Sequence, residues 1–374
     1  MNHNDDGLQD GIMLYNATAR PRDLLLLEAN RHLATKFNIR KNMERFMVNS
    51  DYLGVLESTR SLYDNFSLVR INKNELQRWC ANWSSSEFIT PAWDNYVHWD
   101  GEGEALANYI LLLDSLNFCF WPDKGQPKWT ISYGGRHWNG YQALALSLRR
   151  AIEEGRPILE AAWMAQASLE EVTHIFRGLD PQAPIPLLEK RAAHIRQSGQ
   201  VLQEHFKGQF AEVIRAAQGS AVRLVNLLVQ YFPSFRDIHP YQGQELRILK
   251  RAQITPIDLY GSFHGQDLGS FSDLQRLTAC ADYKIPQVLR ALGILEYAPS
   301  LADKVDNQEL LPSGSLEELE IRVGMIWATE LIRQRLEELG GKKMALELDW
   351  FLWNLGQEPL PHERPYHRTR TIFY

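Results

Sequence analysis

Apolar residues recur at helical spacing along most of this chain, whereas clear alternation is confined to one short segment. That contrast points to a mainly α fold with a small β element. The alternating segment is Trp129, Ile131 and Tyr133, followed by Gly134–Gly135 and then by Trp138 and Tyr141 on the return. A glycine pair between such runs is hairpin chemistry and places the β element near residues 128–141. Helix boundaries are written around it. Leu144, Leu148, Ala151 and Ile152 keep helical spacing until Gly155 and Pro157 stop them. Ser168 with Glu171 reads as a capping box ahead of Leu169, Val172, Ile175 and Phe176. Ser315 with Glu318 opens a long helix whose inward face includes Leu319, Val323, Ile326 and Trp327. Pro286 suits a first helical turn, Ile285, Val288, Leu289 and Leu292 share one face, and Gly293 ends that helix.

Three stretches follow from the same patterning. Residues 1–20 are polar and read as a disordered leader. Residues 21–127 are mostly helical, with aromatics at Trp79, Trp83, Trp93, Tyr96 and Trp99 and an acidic, glycine-containing break at Asp100–Glu104. Residues 128–374 form a mainly helical region that can be continuous with the part before it. At 374 residues and 44% hydrophobic content the chain can bury a sizeable core. A formal net charge of −6 gives no global positive field for a long nucleic acid, so a small anionic ligand fits better than a stable nucleic-acid partner. Cys80, Cys119 and Cys280 lie too far apart for a disulfide framework or a paired-cysteine metal site, which favours a reducing cytosol. The N-terminus is acidic where a signal peptide is basic, and the apolar run Tyr109–Trp121 is broken by Asp114, so a membrane location is not expected.

Common catalytic signatures are missing. There is no phosphate-binding glycine loop, no dinucleotide fingerprint, no His-Glu-x-x-His, and no serine in a nucleophile elbow. The chemically interesting groups that remain are aspartates, which describes a mainly helical, carboxylate-dependent enzyme and nothing narrower.

Five segments together resemble the queuosine salvage family: Leu116–Asp123, Phe232–Asp237, Lys250–Ile254, Leu277–Leu289 and Pro365–Tyr374. Their shared order and spacing carry the resemblance from about Asn117 to the C-terminus; before that only Trp93–Trp99 can be anchored. The resemblance implies hydrolysis of the N-glycosidic bond of queuosine 5'-phosphate to queuine and ribose 5-phosphate, without a metal or other cofactor. It also implies a catalytic region shaped like the helix-hairpin-helix DNA glycosylases, in which an aspartate precedes a helix that ends here in Leu292–Gly293.

Under that resemblance Asp282 is the first candidate for catalysis. Breaking a nucleoside bond builds positive charge on the sugar, and a fixed carboxylate can stabilise that charge and orient a water. The plainer role for Asp282 is to cap the helix near Pro286. Asp349 lies in a segment that resembles the family's base-recognition segment, where a carboxylate can accept both N–H donors of a guanine-like edge. Trp350 can stack on the base or pack in the core, and Asn354 can reach a polar substituent, although the family usually carries an acid there. His98 matches a family histidine that contacts the base, or is a structural histidine. Cys280 stands where the family often has a phenylalanine lining the base pocket. Phe235 can supply aromatic surface, and Asp237 can brace the pocket or cap a helix. Lys250 and Arg251, and in the tail His367, Arg368 and Arg370, are candidate cations for the 5'-phosphate. Pro256 suggests a local break in the helical pattern and leaves the role of nearby Asp258 doubtful. The alternatives to a queuosine 5'-phosphate hydrolase are a glycosidase for another purine-like nucleotide or nucleoside, and a non-catalytic queuine- or nucleic-acid-binding protein.

Overall fold

A computed structural model describes residues 53–82 and 93–374. The expected leader 1–20 lies outside the described residues, as do residues 21–52 and Trp83. The rest is mainly helical with small sheets.

The helix Gly103–Ser115 is buried along its whole length from Leu106 to Ser115, the pattern of a helix enclosed on all sides. The helix Lys250–Ser262 packs on it and on Ala221–Tyr231. A second central element, Leu316–Glu338, is buried from Glu318 to Thr329 and packs against the helices Lys284–Ala291 and Ala345–Leu355. Leu319, Val323, Ile326 and Trp327 all face inward, as their spacing predicts.

Local signals translate directly. Thr130–Tyr133 pairs antiparallel with Arg136–Asn139, and Gly134 and Gly135 both take positive φ, 56° and 75°, as a two-residue turn of this kind requires. Tyr141 departs from expectation: it sits in the first turn of the helix Gly140–Glu153, not on the return strand. The Ser168–Glu171 capping box is formed on both sides. At Ser315 only half forms: its hydroxyl accepts from Glu318 N, while the Glu318 carboxylate takes Gly314 N and Arg322.

Two strand pairs were not foreseen. Ile238–Tyr241 pairs with Gln244–Arg247, and Val69–Ile71 pairs with Leu295–Tyr297. The break expected at Pro256 is absent, because Pro256 lies inside the continuous helix Lys250–Ser262. A proline there forfeits one N–H bond, and tertiary packing on two sides holds the helix together. No helix among the described residues is long and apolar enough to cross a membrane.

Candidate active site

The site is built around an irregular stretch, Leu277–Tyr283, whose backbone is held by side chains from three helices. Gln253 pairs with Thr278, accepting its N–H at 2.9 Å and donating to its hydroxyl at 3.0 Å. Asp349 Oδ1 accepts from Cys280 N at 2.7 Å. Arg322 donates from Nε and Nη2 to the Ala281 carbonyl, both at 3.2 Å. A buried loop without a ladder of its own needs such partners for its N–H and C=O groups.

Asp282 follows at once. Its Oδ1 accepts from Lys284 N and Ile285 N, each at 2.9 Å, so the carboxyl caps the helix Lys284–Ala291. The capping role and a catalytic role are compatible, because among the described residues no donor reaches Oδ2. Burial raises the Asp282 carboxyl above its ordinary range, opposed by the Lys250 charge and the two N–H bonds.

Asp349 is buried beside it. Burial first, then the Asp282 charge, pushes its carboxyl up to about 8, against the Cys280 N–H and Lys250. Two further carboxyls complete the group. Asp114, at the end of the central helix, and Asp258 lie against each other. Among the described residues no hydrogen bond of good geometry reaches either Asp114 oxygen or Asp258 Oδ2: the Thr255 hydroxyl lies near enough to Asp114 to favour its charge, but it donates to the Arg251 carbonyl at 3.0 Å. Burial raises Asp114 to about 7, and burial followed by the Asp114 charge pushes Asp258 well up. A proton shared between the two carboxyls satisfies both. Lys250 is the cation whose field reaches all four acids, and among the described residues no hydrogen bond or ion pair holds its Nζ. Cys280 is buried within the same field.

An aromatic wall stands on the side of Asp258. A methyl group added at Gly261, on the Asp258 helix, would lie 3.2 Å from Trp93 Cε3 and 3.6 Å from Trp350 Cη2, so both rings close over that glycine. His98 stacks on Trp93, with centroids 3.9 Å apart. Its Nδ1 must donate to the Asp94 carbonyl at 2.9 Å, so in the neutral ring Nε2 accepts from the Tyr141 hydroxyl, also at 2.9 Å. Burial lowers His98 to about 4, which keeps it neutral. Trp353 approaches the Tyr141 ring edge-on at 6.3 Å.

Other expected residues fall elsewhere. Asp237 is almost wholly buried and is gripped by Arg322 Nη1 and Nη2 at 3.0 and 2.6 Å and by His239 Nε2 at 2.9 Å. Burial opposes its charge, but these partners hold it well below the usual carboxylate range. It braces the loop through Arg322. Both Nη atoms of Arg251 are committed to the carbonyls of Asp114, Ser115 and Ser234, and its guanidinium lies 5.0 Å from the ring centre of Phe235, which is itself core. Asn354 is exposed, and its amide donates to the Trp350 carbonyl at 2.8 Å. Arg368 donates to the Pro122 carbonyl at 3.2 Å, Arg370 pairs with Asp123, and both guanidinium groups face Trp121. His367 is buried and lowered to about 3, so it is no cation.

An open cleft of about 590 Å³ lined by Asn108, Leu159 and Lys207, among others, contains none of the four aspartates. A smaller cleft of about 310 Å³ is lined by Gln287, Tyr366 and Arg368, and Tyr366 packs on Tyr283 at 4.9 Å, one residue from Asp282.

Sequence reasoning missed Asp114 and Tyr141. Asp114 left a signal, a lone carboxyl in an otherwise apolar helical run. Tyr141 left none beyond its place after the hairpin.

The family described as "Queuosine salvage protein" matches residues 97–374, which include all the named site residues except Trp93 and Asp94. A Sphaerobacter thermophilus protein named queuosine 5'-phosphate N-glycosylase/hydrolase is 47% identical over 324 residues, covering 87% of this chain and 98% of that relative. Proteins of the same name from Mus musculus and Schizosaccharomyces pombe are 39% and 32% identical, over 73% and 81% of this chain and 83% and 91% of theirs. The chain belongs to the queuosine salvage protein family.

Proposed function

We infer that this chain hydrolyses the N-glycosidic bond of queuosine 5'-phosphate, releasing queuine and ribose 5-phosphate, with Asp282 as the catalytic carboxylate. The observation that carries the assignment to Asp282 is its fixed carboxyl: one oxygen is anchored by two backbone N–H groups, and the other has no donor among the described residues and stands beside Asp349. Anchoring sets the direction of Oδ2 before substrate arrives, so stabilising the cationic sugar needs little reorganisation. As the C1'–N bond breaks, its electron pair leaves with the base. A water adds through oxygen to C1', Oδ2 takes the water proton, and that proton ends on the departing base. Queuine is a 7-deazaguanine and offers no N7 to protonate, so departure relies on hydrogen bonds to its six-membered ring.

Asp349 accepts the paired N–H donors of that ring, Cys280 lines the pocket, and Trp350 with the Trp93–His98 stack supplies flat apolar surface. Lys250 neutralises the phosphate. The helix-hairpin-helix glycosylase likeness is supported by Asp282 standing just before the helix Lys284–Ala291, which closes on Gly293 at φ 71°. A reducing cytosol is supported by three cysteines that are all free and buried.

The test is mass spectrometry of the products formed from queuosine 5'-phosphate by the wild type and by Asp282→Asn. Queuine and ribose 5-phosphate should appear with the wild type and be strongly reduced with the variant. Intact substrate with the wild type would overturn the activity, and equal product from both would overturn the role of Asp282.

A further inference from the structure

The tail Pro365–Tyr374 adds no side chain to the carboxyl group, yet Tyr374 is 2% exposed and meets Tyr283 and Arg322, which flank Asp282 in sequence and through the Ala281 carbonyl respectively. Its ring lies over the Arg322 guanidinium, with Cζ 4.3 Å from the ring centre. Arg322 is the donor that holds the carbonyl of Ala281, the residue before Asp282. The same ring stands 6.5 Å from that of Tyr283, the residue after. Tyr374 is fixed in turn: its hydroxyl pairs with His367 Nε2 at 3.0 Å and lies within reach of Thr369 and Glu318, and its carbonyl accepts from Cys119 N at 2.8 Å.

The geometry has a physical logic. Every in-plane direction of Arg322 that the loop needs is taken by Asp237, Glu318 or Ala281, so only the flat faces of the guanidinium remain. An aromatic ring covers such a face without competing for its N–H groups. With the ring gone the guanidinium can tilt, and the Ala281 carbonyl tilts with it.

We propose that Tyr374 is a positioning residue for the glycosidic reaction: its ring holds Arg322 and Tyr283 on either side of Asp282 and so fixes the direction of the catalytic carboxyl. The proposal rests on the assignment of Asp282 given above.

The test combines kinetics on queuosine 5'-phosphate with amide hydrogen exchange, using full-length Tyr374→Leu and Tyr374→Phe. A displacement of about 1 Å at a reacting group can cost on the order of a hundredfold. Tyr374→Leu should therefore lower kcat by about that factor with little change in KM. It should also speed exchange at the Lys284 and Ile285 amides, which donate to Asp282. Tyr374→Phe keeps the ring and should restore both readouts. Wild-type kcat in Tyr374→Leu, unchanged exchange at those two amides, or a phenylalanine variant as impaired as the leucine one would each overturn the proposal. If Tyr374→Leu does not fold, Tyr374→Met keeps most of the volume without the ring and carries the same test. An active Asp282→Asn enzyme would instead defeat the catalytic assignment, while the exchange readout would still report whether Tyr374 holds the loop.

Discussion

Asp349 accepts the backbone N–H of Cys280 at 2.7 Å, two residues before Asp282 in the same irregular stretch. The carboxyl assigned to the base and the carboxyl assigned to the sugar are thus mechanically joined. Binding a base against Asp349 bears directly on the segment that aims Asp282.

Asp282→Asn should lower turnover by about a hundredfold or more, the scale of losing one charge aimed at a transition state. The fold should survive, because an asparagine oxygen can still accept from Lys284 N and Ile285 N. Steady-state kinetics with a thermal melt checks both halves; a large fall in Tm would show that the charge itself holds the loop.

Asp349 should give the protein a distinctive pH dependence. Its carboxyl is held up to about 8 in the folded state, against about 4 for an unfolded carboxyl. Between those values the folded protein carries a proton that the unfolded chain has lost. Its contribution to stability is therefore full below about pH 4 and is lost as pH rises through about 8. Asp349→Asn keeps an acceptor for Cys280 N and should flatten that slope, making the variant the more stable form at pH 9. Chemical denaturation at several pH values measures it.

The same proton should appear in binding. If the guanine-like edge of queuine needs the ionised carboxylate, queuine binding at pH 7 should release a proton, and the release should fade by pH 9. Asp349→Ala should bind queuine much more weakly, since the edge loses its acceptor. Calorimetry in buffers of different ionisation heat reads both effects.

Queuosine 5'-phosphate should be a better substrate than queuosine. Lys250→Met should narrow the difference, because the Lys250 ammonium faces the site with no bonded partner among the described residues. Arg368→Ala should leave the difference intact, because Arg368 is engaged with the Pro122 carbonyl and Trp121. The ratio of kcat/KM for the two substrates in each variant decides the matter.

Asp237→Ala should be strongly destabilising, by about 3–5 kcal/mol, because it strands the buried Arg322 charge. Urea unfolding measures it; a loss under 1 kcal/mol would show that Glu318 alone suffices as the counter-charge.

What the sequence disclosed was local. The hairpin at Gly134–Gly135, the box at Ser168 and Glu171, and the helix closed by Gly293 each depend on a few neighbouring residues, and each formed. Asp282 could be singled out because its surroundings match a family pattern. Arg322 could not, because its partners Asp237 and Ala281 stand 85 and 41 residues away. Lys250 and Arg251 read alike as adjacent cations, yet successive residues on a helix point about 100° apart, so one faces the acids and the other the core. Asp258 was discounted through Pro256, a residue that packing accommodates without a break. Asp114 reads in the sequence as the charge that excludes a membrane span, whereas its burial against Asp258 is the more telling fact.

The pairing of Val69–Ile71 with Leu295–Tyr297 sets the order in which this protein can assemble. Arg70 and Glu296, paired across those strands, are 226 residues apart, so the loop they close costs entropy long before it returns any contact. A chain leaving the ribosome carries the first strand unpartnered until more than two hundred further residues have emerged. Closure is therefore a late and slow event, typical of distant pairings. The Asp282 helix lies immediately before the returning strand and packs on it, so it docks in the same late step, and a nascent or truncated chain lacking that strand leaves apolar surface of that helix exposed.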